Sequence, residues 1–439
     1  MRMLLVCRCA ALVFSSLGFG LLAACSSDDS PGSPPPDPSC TAANNCTFFA
    51  VGSTEEQVQN RIATAKAGQT IKFGEGTFKF VNQIALPSNV SNLTVLGAGI
   101  DKTVIDFSAQ TSGNDGIFAQ NVTNLRLEGF TVKNSVGNAI KVLKGTGVTF
   151  RSLKTHWTTE DKTKHGAYGI YPVESTNVLV EKSIAIGAVD TGIYVGQSKN
   201  IVVRDNEVYE NVAGIEIENS FTADVYNNNA HDNTGGILVF DLPHLPQTGG
   251  HDIRVFKNDI HDNNTANFAP SASTVAAVPK GTGFFVLANS NVEVFENTFK
   301  NNVTAQTSVL SYFILQQPID DPNYKQPFPS NIYIHDNTYA GGGASPDQDN
   351  KLGIVLKLGK FPGDKVPDLL YDGIVTTPPT PAPAGNPLKV CFKNNPGAVW
   401  ANLHFDKMEG IDLGAVRVMS PPELECELPR LAPVSLPGL

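Results

Sequence analysis

The feature that most constrains this chain is a turn that recurs. Segments carrying an Asn-rich turn line up through the middle of the sequence. "VVRDNEVYENVAGIEIENS" carries Asn206, "DVYNNNAHDNTGGILVFD" Asn228, "IRVFKNDIHDNNT" Asn258, "VEVFENTFKNN" Asn297 and "IYIHDNTYA" Asn337. Going backwards, Ser183, Ser152 and Gly129 hold the same place. The steps between them are 23, 31, 23, 22, 30, 39 and 40 residues. A basic period of 22–23 residues therefore carries insertions of roughly 8, 8, 17 and 18 residues.

Each period holds short alternating strands such as "NIVVRDNEV" and "AGIEIEN", separated by Gly, Asn and Asp. Such a period fits one coil of a right-handed parallel β-helix, an all-β solenoid of about ten coils here, each with three short strands and three turns. Inward Val, Ile and Leu would stack into one long core. Asn at the repeated turn tolerates left-handed backbone and can bond the next Asn along the axis. The Leu-x-x-Leu-x-Leu pattern of leucine-rich repeats is absent. With 39 Gly, 29 Pro and 17% charged residues, the composition suits strands and turns better than helices.

A solenoid has two open edges that need covers. Ser53-Thr54-Glu55-Glu56 reads as a capping box that starts a helix, with Val58, Ile62 and Ala65 on one face and Gly68 as its stop. "TTPPTPAPAG" marks a boundary near residue 380. The domain reading is a β-helix over 48–375, a Pro-rich linker over 376–388 and a C-terminal cap region over 389–439. In the last, "LKVCFKNNPGAVWANLHF" is expected to form a disulfide-tied strand pair over the far end.

The first residues read as a targeting segment. Arg2 and Arg8 precede an apolar run from Ala10 to Leu22, too short and too early for a retained membrane span. "LLAAC" ending at Cys25 resembles a bacterial lipoprotein signal. The resemblance implies a signal peptide over 1–24, lipid on Cys25 and a tether over 25–47. Ser26 after the cysteine implies an outer-membrane address in the cell envelope, periplasmic or surface-facing. With Cys7 and Cys9 lost and Cys25 lipidated, four cysteines remain. An even number in an exported chain suggests disulfides Cys40–Cys46 and Cys391–Cys426; zinc is the weaker alternative without C-x-x-C spacing. The net charge is -10. No basic cluster is interleaved with aromatics, which argues against nucleic acid as a partner.

The helix followed by "AGQTIKFGEGTF", with "HGAYGIYPVES", "GIYVGQS" and "GIEIENS", resembles the bacterial parallel β-helix repeat lipoproteins of the pectin-lyase-like superfamily over about residues 50–345. That resemblance implies the fold and an envelope location. The wider superfamily holds polysaccharide lyases, epimerases and hydrolases, but also adhesins and tailspikes.

Aligning one strand per coil ("AIKVLK", "GIYPVE", "GIYVGQ", "GIEIEN", "GILVFD", "GFFVLA") puts Ile140, Ile170, Ile193, Ile215, Ile237 and Phe284 inward. Lys141, Tyr171, Tyr194, Glu216, Leu238 and Phe285 then point out, with Glu218 and Phe240 in the next outer column. Long insertions beside this strip would wall a groove suited to an extended sugar chain. Lys141, Tyr171, Trp157, His165, Glu216 and Glu218 are the expected substrate contacts, the aromatic rings as stacking platforms. The Glu-x-Glu pair is similar to that of calcium-dependent polysaccharide lyases, which makes Glu216 and Glu218 the candidate calcium ligands. The alternative is a solvated acidic face. "FDLPH" resembles the D-P-H motif of alginate epimerases, with Leu242 inserted. It makes Asp241 and His244, with Tyr194, the catalytic candidates for proton transfer at a uronic acid. The alternative there is a Pro-bounded surface turn. The expected function is binding, and as an enzyme lyase or epimerase action on, an envelope or extracellular polysaccharide. The rival is a non-catalytic scaffold or adhesion protein for an envelope protein partner.

Overall fold

The computed structural model describes residues 39–377, 383–408, 412–436 and 438. The signal segment, Cys25, most of the tether and part of the Pro-rich boundary lie outside them. The described strands form two long sheets, one of twelve strands and one of twenty, paired in parallel throughout except at the final strand. This is the expected parallel β-helix. Ile117, Ile140, Ile170, Ile193, Ile215, Ile237 and Phe284 pair coil to coil along the twelve-stranded sheet. All seven are buried in one continuous apolar core. Among the described residues, no helix is long and apolar enough to cross a membrane.

The Asn line is a hydrogen-bonded ladder. Asn206 Nδ2 donates to Asn228 Oδ1, Asn228 to Asn258 and Asn258 to Asn297, each at 2.9 Å, and Asn297 donates to Asn337 at 3.0 Å. The left-handed residue is not the ladder Asn but the one before it: Asp205, Asn227, Lys257, Glu296 and Asp336 all have φ between 54° and 57°. Strand register also moves two expected members by one residue. Leu153 and Phe130 stand on the Asn line, and Ser152 and Gly129 occupy the left-handed position before it. The step 153 to 183 is therefore 30 residues, not 31. A second ladder, unnoticed in the sequence, runs through Asn211, Asn233, Asn263 and Asn302 with side-chain bonds of 2.9, 2.9 and 3.0 Å. These amides are buried, so each must be satisfied inside the protein.

The N-terminal helix spans Glu55–Ala63 and buries Val58 and Ile62. Its N-cap is Thr54, not Ser53. Gln57 N–H donates to Thr54 Oγ1 at 3.2 Å, and Thr54 N–H donates to Gln57 Oε1 at 2.9 Å. Both expected disulfides are present. The C-terminal region does not stand apart as a separate strand pair. Val390–Lys393 and Trp400–Asn402 pair in parallel with the preceding coil and form one more turn of the helix. Val418–Met419 then runs antiparallel to that last coil and ends the stack.

Beyond Cys426 the chain returns as an extended strap over the outside of the twenty-stranded sheet. Leu431 N–H donates to Glu293 Oε2 at 2.9 Å, and Val434 N–H to Asp224 Oδ2 at 3.1 Å. The Arg430 guanidinium lies 5.0 Å from the Phe295 ring centre.

Candidate functional site

The outward columns of the twelve-stranded sheet follow the register expected from sequence: Lys141, Tyr171, Tyr194, Glu216, Leu238 and Phe285 are successive partners, the step from Tyr171 to Tyr194 following from Ile170 facing Ile193. Their surroundings divide the face in two. Over the later coils, Leu238, Phe240, Phe285 and Leu287 pack under Leu242, Val275, Val278, Tyr312 and Tyr324 from the insertions, forming a second apolar core. The groove expected to continue past Asp241 is therefore filled. The outward side chains there are too apolar to be left in water, and the insertions supply matching apolar partners.

Over the earlier coils the face is polar and aromatic. Tyr168, Tyr171 and Tyr194 form a trio with ring centres 4.4, 4.8 and 5.0 Å apart. Tyr168 and Tyr171 remain partly open to solvent, and Lys141 Nζ sits 5.0 Å from the Tyr171 ring centre. Tyr194 is buried because it lies over Gly196: a Cβ there would fall 2.3 Å from the Tyr194 hydroxyl. The missing side chain lets the ring reach the next coil, where Tyr194 Oη donates to Glu218 Oε1 at 2.7 Å. Gln197 Nε2 donates to the same Tyr194 oxygen at 3.0 Å and to Glu218 Oε1 at 3.3 Å.

Three carboxyls converge beside this ring. Thr191 Oγ1 donates to Glu216 Oε2 at 2.7 Å and lies 3.0 Å from Asp190 Oδ1. Ser273, reaching in from the insertion before the Thr282–Leu287 strand, donates to Asp190 Oδ2 at 2.5 Å. Glu216 and Glu218 share a hydrogen bond. Burial, with the neighbouring acids adding to it, raises Glu216 well above the ordinary carboxylate range. Burial pushes Glu218 up to about 7, and raises Asp190 as well. Burial also pushes the Tyr171 phenol up to about 12. Burial thus favours the protonated carboxyl at Glu216 and Glu218 and keeps Tyr194 a neutral donor. Such a pair can give or take one proton, which is general acid–base capacity near pH 7.

The other candidates sit elsewhere. Asp241 is fully buried: Gly250 N–H donates to its Oδ1 at 2.8 Å, its Oδ2 has no hydrogen-bond partner, and burial pushes it up to about 6. His244 does not pair with it. Its Nε2 lies 2.7 Å from Asp320 Oδ1, and its backbone N–H donates to Asp321 Oδ2 at 2.7 Å, on the exposed surface. The Leu242 insertion buries Leu242 and swings His244 outward, so Asp241 and His244 form no acid–imidazole pair. Trp157 is not a platform: it is buried in the core and its Nε1 donates to Ser135 O at 2.7 Å. His165 stacks on it, with Nδ1 2.6 Å from Gly187 O and Nε2 2.9 Å from Thr159 O, leaving neither nitrogen for a ligand. Calcium does not fit Glu216 and Glu218. Their oxygens are engaged by O–H and N–H donors and by each other. Among the described residues no group of three or more His, Cys, Asp or Glu side chains has the arrangement to hold a metal.

Residues 89–244 match a family model described as a right handed beta helix region. The parallel coils of the two sheets agree with that description. No curated protein matches it in sequence. Among solved structures it is similar to the A-module of mannuronan C-5 epimerase AlgE4 from Azotobacter vinelandii, at 15% identity and a TM-score of 0.46 over 72% of this chain and 89% of that one. It is similar too to endopolygalacturonase I from Stereum purpureum, at 13% identity and a TM-score of 0.44 over 67% and 95%. A pectate lyase, Pel9A, aligns at 15% identity and a TM-score of 0.38 over 71% and 67%. Likeness at this level concerns the course of the chain; the chemistry is read from the site.

Proposed function

We propose that the outer face of the twelve-stranded sheet, from Lys141 to Glu218, binds an extended polysaccharide. The observation that carries this reading is the partly exposed tyrosine pair Tyr168 and Tyr171, packed on Tyr194, which leads into a row of hydrogen-bonding carboxyls and Gln197. Flat rings stack on sugar faces while the polar row meets the hydroxyls. Coil spacing of about 4.8 Å, close to the length of one sugar unit, lets neighbouring coils serve neighbouring sugars. We propose too that the protein sits in the cell envelope, held at the outer membrane by lipid on Cys25, a reading supported by the apolar run that ends in "LLAAC". Glu218, hydrogen-bonded to Tyr194 Oη and Gln197 Nε2, is the carboxyl this reading sets beside a bound chain. The test is a glycan array on the full chain, alongside an assay for cleaved and unsaturated products. Binding that is lost in Tyr171→Ala supports the reading. A chain that binds no glycan, but retains one envelope protein reproducibly in pull-downs, would make it a scaffold instead. For the anchor, Cys25→Ser should move the protein from the membrane to the soluble fraction.

A further inference from the structure

The charges around this face say what kind of chain it takes. Five carboxyl groups lie on or just behind it: Asp115, Asp190, Glu216, Glu218 and Asp241. Asp241, fully buried, acts electrostatically on Glu218. Against them stands one lysine, Lys141, held over the Tyr171 ring and acting on Asp115. The cations at the margins are all engaged. Lys144 meets Glu174 at 3.6 Å, Lys162 meets Glu210 at 3.0 Å, and Lys280 meets Asp347 at 3.5 Å. His251 meets Asp252 at 2.9 Å.

A uronic-acid polymer carries one carboxylate per sugar. On this face it would bring a row of charges to a place where, among the described residues, acids outnumber cations and Lys141 alone stands to receive one of them. A hydroxyl has no such difficulty. It can donate to the Glu218 carboxyl oxygens, whereas a uronate carboxylate can only accept. The donors Tyr194, Thr191 and Gln197 are already committed to the protein's own acids. We infer that the ligand is a neutral, hydroxyl-rich polysaccharide rather than a polyuronate, with its hydroxyls towards Glu218 and its rings on Tyr168 and Tyr171. This rests on the reading of the face as a polysaccharide site and narrows it to one substrate class. Proton abstraction next to a uronate carboxylate then falls away, leaving recognition or hydrolysis.

The experiment is titration calorimetry of the full chain, at neutral pH and low salt, with hexasaccharides of glucose, mannose and galactose and with hexamers of galacturonate and mannuronate. The expected result is at least one neutral hexamer bound about tenfold or more tighter than either uronate. It should weaken in Tyr171→Ala. Uronate affinity should rise several-fold in Glu218→Gln and in Asp190→Asn, which remove acidic groups without removing bulk. A uronate hexamer bound more tightly than every neutral one would overturn the inference while leaving the polysaccharide site standing. Failure of every hexamer and of longer polymers of both classes would remove the site itself, and the inference with it.

Discussion

The two sheets present outer faces built on the same backbone with the same coil spacing, yet they handle charge in opposite ways. On the twenty-stranded sheet the outward columns complement one another. Arg151 and Arg204 flank Glu181 from the coils before and after it, and Arg204 donates onward to Tyr226 Oη at 3.0 Å. Below them Tyr226, Phe256, Phe295 and His335 stack with ring centres 4.8, 4.8 and 5.4 Å apart. On the twelve-stranded sheet Glu216, Glu218 and Asp190 are buried together with hydroxyls and an amide but no cation. A repeat fold stacks like on like at almost no geometric cost, so a column of unlike or uncompensated residues marks where selection has asked for something other than stability.

The largest expected effect lies in the Asn ladder at the bend within the twenty-stranded sheet. Asn258→Ala removes the acceptor for the N–H and the side chain of Asn228 and the donor to Val225 O and Asn297 Oδ1. At about 1 kcal/mol per lost buried bond, urea unfolding should show a loss of about 4 kcal/mol. An equal loss in Asn263→Ala would show that the second ladder carries the same weight.

The faces should next separate by pH. Glu218 holds its proton up to about 7 when folded and to about 4.5 when unfolded, so the folded state binds more protons in that window. Its contribution to stability is therefore intact below about pH 4.5 and is lost as pH rises to about 7, a change of about 3 kcal/mol. Glu218→Gln should flatten that fall between pH 5 and 8. Glu181 behaves in the reverse sense: its two arginines hold it below the usual range against burial. Its contribution stands above the ordinary carboxylate pKa and is lost on acidification. Glu181→Gln should cost about 2 kcal/mol at neutral pH and much less at low pH. Identical pH profiles for the two variants would erase the distinction between the faces.

Smaller effects sharpen it. Tyr171→Ala should weaken glycan binding about tenfold with little change in melting temperature, since the ring is partly open. His244→Ala should change stability by under about 0.5 kcal/mol and leave glycan binding untouched, because its partner Asp320 is an exposed loop acid. A large loss of binding in that variant would return His244 to the site.

The sequence made the period, the inward isoleucine column and the outward run from Lys141 to Phe285 legible, because each repeats under one constraint: the core must be apolar in every coil. It also disclosed Tyr194, Glu216 and Glu218 as neighbours. Asn211, Asn233, Asn263 and Asn302 stood five residues after the first ladder and could have been found by the same alignment. What the insertions do was not legible. Whether Leu242 goes down or His244 goes in depends on Asp320 and Asp321, more than seventy residues away in the chain and in a segment without periodicity. The same holds for Ser273, whose reach to Asp190 spans 83 residues. Trp157 and His165 look like a sugar platform in one dimension and turn out to fill the core and plug a turn.

The reversed strand Val418–Met419 has a consequence at the scale of the whole molecule. A stack of parallel coils is open-ended, and another copy could be added to it like a brick to a column. Here the final layer is laid the other way and the strap from Cys426 runs back along the side of the stack, while the Glu55–Ala63 helix covers the opposite end. The protein is therefore a rod of fixed reach, roughly 50 Å at about 4.8 Å per layer. Gain or loss of one repeat would lengthen or shorten it by a single step without disturbing either terminus.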